Sequence, residues 1–111
     1  MRIKTFCQIQ NIKMIVKIHK KDNRTIAAVC DTDLMGQKFE EGDLQLDLSS
    51  DFYNGDEMNE TEVGDLMRNS DGVNLVGENS IKLGLKEGII DKTHIITIKK
   101  IPHAQAIIIH E

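Results

Sequence analysis

Two β-branched runs lie close together near the start of the chain, Met14-Ile15-Val16-Lys17-Ile18-His19 and Thr25-Ile26-Ala27-Ala28-Val29-Cys30. Only the polar stretch Lys21-Asp22-Asn23-Arg24 stands between them. Parallel strands need a crossover of a dozen or more residues, so this pair is expected to be an antiparallel hairpin. The end of the chain repeats the arrangement, with Thr93 to Ile98 and Ala104 to Ile109 flanking Lys99-Lys100-Ile101-Pro102-His103. Hairpins at both ends argue against a parallel α/β sheet and for an α+β fold.

Between the hairpins the hydrophobic period changes. Asp31-Thr32-Asp33-Leu34-Met35-Gly36 suits a single helical turn, capped by either Asp31 or Thr32 and ended by Gly36. Leu44, Leu46 and Leu48 alternate with Gln45 and Asp47, the period-2 pattern of a half-buried strand. Asn54-Gly55 signals a turn. Asn59 to Asn69 reads as a helix, with Asn59 as N-cap, Glu60 and Glu62 in the first turn, and Val63, Leu66 and Met67 on one face. Val73 to Val76 suits a short buried strand, and Glu78 to Glu87 a second helix stopped at Gly88. The order β-β-β-α-(β)-α-β-β predicts a small, mostly antiparallel sheet of five to six strands with two helices.

A length of 111 residues allows one domain, expected over 14–111. Residues 1–13 read either as an N-terminal extension ahead of Met14 or as an edge strand through Ile3, Phe6, Ile9 and Ile12. With no Trp, three Phe and one Tyr, the core is expected to be aliphatic. No apolar run reaches the roughly 20 residues of a membrane span, and the N-terminus lacks the apolar core of a signal peptide. Two cysteines, Cys7 and Cys30, do not make a disulfide framework, which points to a reduced, cytoplasmic protein. The net charge of −4 conceals a polarity. Residues 1–38 carry eight Lys or Arg against three acids, whereas residues 39–67 carry ten acids and no base. Such a division can orient a partner, and it also suits a solvated acidic face.

No complete catalytic set is present. Cys30 with a nearby His would need a means of lowering its thiol pKa, and at the end of an Ile-Ala-Ala-Val run it reads instead as a small buried hydrophobe. Four scattered histidines and the absence of Cys-x-x-Cys or His-Glu-x-x-His predict no metal, and no cofactor is expected. Asp31 and Asp33 suit either a hard cation or helix capping. The glycines match no phosphate-cradling motif, although Val76-Gly77-Glu78 enters a helix N-terminus where backbone N–H groups can take an anion. Phe52-Tyr53 reads as a packed corner or a partner anchor. Opposite sides of an extended segment place one ring inside, and Phe52, lacking a polar handle, is the ring expected there. Acids on both sides of the pair favour a protein contact over nucleic-acid stacking. Pro102 fixes the entry to the last strand, and His103 and Gln105 share one face of it.

Taken together, Met14 to Ile18, Cys30-Asp31, Leu34 to Gly42, Phe52 to Gly55, Asn74 to Glu78 and Pro102 to Gln105 resemble the archaeal domain-of-unknown-function family 424 over residues 14–109. That resemblance implies a small single-domain archaeal protein and carries over no catalytic residues. The functional expectation is a non-catalytic binding module for a ribonucleoprotein or translation component, with a protein or ribonucleoprotein partner. Its face would draw on Asp31, Asp33, Gly36, Lys38, Phe52, Tyr53, Gly55, Asn74, Gly77, Glu78, Pro102, His103 and Gln105. The alternative is a small enzyme or ligand-binding protein in which Asp31, Asp33 and His103 converge.

Overall fold

The structure, a computed structural model, describes residues 12–109. It contains β1 (Lys13–Lys21), β2 (Arg24–Asp31), β3 (Lys38–Glu41), β4 (Leu44–Asp47), β5 (Asp56–Asn59), α1 (Glu60–Arg68), β6 (Gly72–Val76), α2 (Glu78–Lys86), β7 (Ile95–Ile98) and β8 (Ile101–Ile107). Six strands form one sheet in the order β5-β1-β2-β6-β8-β7, and β3 and β4 form a separate hairpin. Four of the five neighbouring pairs in the large sheet are antiparallel; β2 and β6 run parallel. The α+β reading holds, with β3 and β5 added to the predicted strands. Both additions are four-residue, largely exposed strands whose polar sequences carry little periodic signal.

The end hairpins turn through two residues each. Asp22 and Asn23 have φ of 53° and 65°, and Lys99 and Lys100 have φ of 53° and 67°. Left-handed backbone at both central positions matches the right-handed twist of the strands it joins. Asn and Asp tolerate that region well, whereas a Lys-Lys pair adopts it at a cost. The Lys99 N–H is fixed from outside by donating to Glu41 Oε1 at 2.8 Å.

Helix α1 starts at the predicted cap. Asn59 Oδ1 accepts from the Glu62 N–H at 2.9 Å, and the Glu62 side chain accepts from the Asn59 N–H at 3.2 Å. This reciprocal box satisfies two donors that a helix start otherwise leaves without partners. Val63 and Met67 then face the sheet. Arg68 pairs with Asp65 and Glu87, and Lys86 with Glu60, tying the exposed sides of α1 and α2 together.

Two cores lie on opposite faces of the large sheet. Under the helices, Met14, Val16, Ala27, Val29, Val73, Leu75 and Ala104 pack against Val63, Met67, Ile81 and Leu83. Ile12 packs against this core as well. The readings made for Ile3, Phe6 and Ile9 lie outside the described residues. On the other face, Ala28, Cys30, Val76 and Ile98 meet Leu46, Leu48 and Tyr53, roofed by the β3–β4 hairpin. The roof covers only the end of the sheet where β2 finishes.

The aromatic pair is split, in the sense opposite to that expected. Tyr53 is 6% exposed and Phe52 38%. Asp51–Tyr53 is a 3-10 turn, so strand alternation does not govern it. The chain then crosses β1 so closely that a Cβ on Gly55 would sit 2.7 Å from the Lys17 nitrogen and overlap the Val16 carbonyl. That crossing swings Tyr53 under the roof, where burial, and secondarily Cys30, pushes its phenol up to about 12. Tyr53→Ala should therefore cost about 3–5 kcal/mol and Phe52→Ala about 1 kcal/mol or less, as read from urea unfolding. The reverse order would place Phe52 in the core.

Candidate functional site

The chemistry-bearing residues predicted from sequence divide between two regions. The first is a cavity of ≈ 200 Å³ at the end of β2, lined by Asp31, Asp33, Leu34, Gly77, Glu78, Asn79, Lys100, Ile101 and Pro102. Parallel strands β2 and β6 end side by side here, with Cys30 opposite Val76, and β6 leads through Gly77 into α2. Such a carboxyl end beside a helix N-terminus is where α/β proteins commonly hold anionic ligands.

Here the chain supplies its own anion. Asp31, 5% exposed, accepts from the Asn79 N–H at 3.0 Å, the Ser80 N–H at 2.9 Å and the Ser80 hydroxyl at 2.7 Å. Its carboxylate does for α2 what a cap side chain at position 77 would do, and Gly77 leaves room for it. A Cβ on Gly77 would lie 2.5 Å from Asp31 Oδ2, and its φ of +106° disfavours any side chain. Of the two readings open for Asp31, capping is the one realised, although the capped helix is α2 rather than the 3-10 turn Thr32–Leu34.

His103 does not join this cavity. It lies on β8 between Val76 and Ile96, and its Nδ1 and Nε2 are buried without hydrogen-bond partners among the described residues. Burial lowers its pKa, which keeps the ring neutral. With Asp31 committed to α2 and His103 elsewhere, the Asp31–Asp33–His103 constellation is not assembled. Cys30 is fully buried, and burial, with Asp31 and then Asp33 contributing, pushes its thiol up to about 12. A thiol held protonated is no nucleophile. Among the described residues no group of three His, Cys, Asp or Glu side chains is arranged to hold a metal.

The second region is the part of the sheet that the hairpin leaves open. Two concavities, ≈ 490 Å³ and ≈ 470 Å³, share Ile26 and Asn74 as common walls. One continues to Gln105, Ile107 and His94, the other to His19, Phe52, Lys21 and Arg24. His19 stands opposite Ile26, Ile26 opposite Gly72, Gly72 opposite Ile107, and Asn74 opposite Gln105, so these residues share one face. Of the predicted residues, Phe52, Asn74 and Gln105 meet here. Gly36 and Lys38 instead form the neck of the hairpin, where the Gly36 N–H donates to the Leu48 carbonyl at 3.0 Å. Tyr53 and Gly55 are structural. His19, Ile26, Arg24 and Ile107 escaped the sequence reading, although period 2 along β1 already set Lys17 and His19 on the face opposite Met14, Val16 and Ile18.

The family profile for DUF424, described as a protein of unknown function, matches residues 18–109. The chain belongs to the DUF424 family. The match covers most of the stretch over which the resemblance was read. A crystal structure of an uncharacterized conserved protein from Methanopyrus kandleri superposes with a TM-score of 0.73 at 22% identity, over 89% of this chain and 95% of the other. At that identity the likeness is one of fold alone. No curated protein matches the chain. Among the described residues no helix is long and apolar enough to cross a membrane.

Two outcomes follow from the geometry. Asp31→Ala strands the Asn79 and Ser80 donors and should cost about 2–3 kcal/mol, while Gly77→Ala, which evicts the same carboxylate, should cost about 2 kcal/mol or more. Urea denaturation of both variants checks this; near-neutral values would mean that α2 does not depend on the cap. For His103 the folded pKa lies below the unfolded value near 6.5, so the unfolded chain binds the extra proton and stability falls as pH drops through that window. The wild type should lose melting temperature between about pH 7.5 and 5.5 more steeply than His103→Leu, and parallel curves would remove His103 from that dependence.

Proposed function

We propose that this DUF424 protein is a non-catalytic binding module that docks through the open part of its sheet onto a ribonucleoprotein or translation component in an archaeal cytoplasm. The observation that carries the reading is the exposure of large apolar side chains on one continuous concave face. Phe52, 38% exposed, and Ile107, 78% exposed, line the two adjoining concavities, and Ile96, 48% exposed, stands on the edge strand β7. Neighbouring apolar groups left on a folded surface mark contact sites more often than chance. Asn74 and Gln105, set between them, supply the polar groups that give such a surface orientation.

The enzyme alternative draws no support from a specific arrangement. Its acid is a helix cap, its histidine stands apart, and its thiol is protonated.

Immobilised protein incubated with archaeal lysate, with and without nuclease, tests the reading. Wild type should retain ribosomal or translation-factor components, and Ile107→Glu should lose them with a stability change within about 0.5 kcal/mol, because Ile107 is largely in solvent. Recovery no better than background, or equal recovery by Ile107→Glu, would sink it.

A further inference from the structure

The open face has a composition more particular than an apolar patch. On one wall the rings of His19 and Phe52 stack, with centroids 4.3 Å apart and planes 14° from parallel. The pair is held by a hydrogen bond between His19 Nε2 and the Phe52 carbonyl at 2.8 Å, and Tyr53 buttresses Phe52 edge-on at 5.0 Å. The result is a fixed, partly exposed aromatic platform. The β1–β2 turn stands at its rim, carrying Lys21 and Arg24 exposed to solvent. Neither of these two cations has a carboxylate partner among the described residues. Asp22 is the one acid lining this concavity. Lys21 and Arg24 thus face Phe52 across the concavity, with Asp22 between them and Asp51 exposed next to Phe52 in the chain.

Asn74 and Gln105 lie opposite one another on the adjacent strands, and neither side-chain amide has a hydrogen-bond partner among the described residues. Each offers both a donor and an acceptor. An aromatic platform, a cationic rim and free amides are three kinds of group that together match a base, a phosphate and the hydroxyl or base edge of a nucleotide.

We propose that this face binds single-stranded RNA. One base stacks on the His19–Phe52 platform, successive phosphates follow Lys21 and Arg24, and the Asn74 and Gln105 amides take base edges or 2′-hydroxyls. The assignment deepens the reading of this face as a docking surface and rests on it. At about 4.8 Å between strands, β1 and β8 stand about 14 Å apart across β2 and β6, a span that more than one nucleotide of a strand must cover. A duplex keeps its base faces stacked internally and would leave the platform unused. An acidic peptide would satisfy the cations but neither the platform nor the amides.

Anisotropy of fluorescently labelled oligouridine with the full chain tests the proposal, beside labelled oligothymidine and polyglutamate. Oligouridine should bind more tightly than either, with a slope of log affinity on log salt of about −1.4 for two phosphate contacts. Lys21→Ala and Arg24→Ala, in an exposed turn, should each reduce that slope by about 0.7. Phe52→Ala should weaken binding about tenfold or more, and Asn74→Ala with Gln105→Ala should shrink the preference for RNA over DNA. Full affinity in a folded Phe52→Ala variant, equal binding of oligothymidine, or equal binding of polyglutamate would overturn the RNA assignment. If oligouridine fails to bind while Ile107→Glu still abolishes nuclease-resistant recovery from lysate, the RNA assignment falls and the docking surface stands. Tight RNA binding unaffected by the Phe52, Asn74 and Gln105 substitutions would put the RNA elsewhere on the protein and overturn its assignment to this face.

Discussion

One carboxylate, that of Asp31, joins the two halves of this fold. It closes β2, the strand on which the N-terminal hairpin is built, and caps α2, the helix that follows β6. β2 and β6 are also the only parallel neighbours among the described strands, and their register brings Cys30 beside Val76 one residue before Asp31 and Gly77. Parallel pairing aligns the strand ends, α2 presents its unsatisfied N–H groups there, and Asp31 fills the position. A buried carboxylate is tolerable only because three donors meet it. Gly77 is bound to the same arrangement, since any side chain would occupy the space the carboxylate needs. A helix N-terminus that binds an external anion must leave that space empty; this one has closed it with the protein's own charge.

The consequence is a division of labour between the ends of the sheet. At the carboxyl end of β2, the hairpin roof and the Asp31 cap bury the surface and make it structural. At the opposite end Phe52 stacks on His19, while Ile26, Asn74 and Ile107 line open concavities. A sheet face stays exposed without cost only if it is polar, and this one is mixed. The rigid helix-backed side supplies what a recognition surface needs, because strands locked by a packed core on their other face hold side chains at fixed spacing.

The architecture was largely legible because it is written in periodicity. The β-branched runs of both hairpins, the Asn59 cap and the Val63–Met67 spacing each specify their element locally, and local signals survive folding. Polar strands β3 and β5 were hidden, since a four-residue strand such as Asp56–Asn59 has no alternation to read. The site was legible only in part. Asn74 and Gln105 stood out, yet Asp31 and His103 were grouped by chemistry although the fold separates their tasks. Which helix Asp31 caps is set by a contact 48 and 49 residues away along the chain, and no local pattern encodes it. Tyr53 and Phe52 exchanged places for the same reason: a 3-10 turn and the Gly55 crossing of β1, both tertiary facts, decide which ring turns inward.

The charge polarity read from the sequence gains its meaning from the layers. The acidic middle of the chain folds mainly into the β3–β4 hairpin, the edge strand β5 and α1. Helix α1, carrying Glu60, Glu62 and Asp65, packs on the face of the sheet opposite the open concavities. Helix layers stand about 8–10 Å from what they pack on, and the exposed carboxylates of α1 lie beyond that distance again. At 0.1 M ionic strength the Debye length is about 10 Å, so the α1 acids are largely screened from the open face. The acids of the β3–β4 hairpin share that face of the sheet but stand at the end where β2 finishes, whereas Lys21 and Arg24 stand at the opposite end, at the rim of the concavity. A net charge of −4 is thus compatible with a polyanion on one face, and it limits nonspecific attraction over the remainder of the surface.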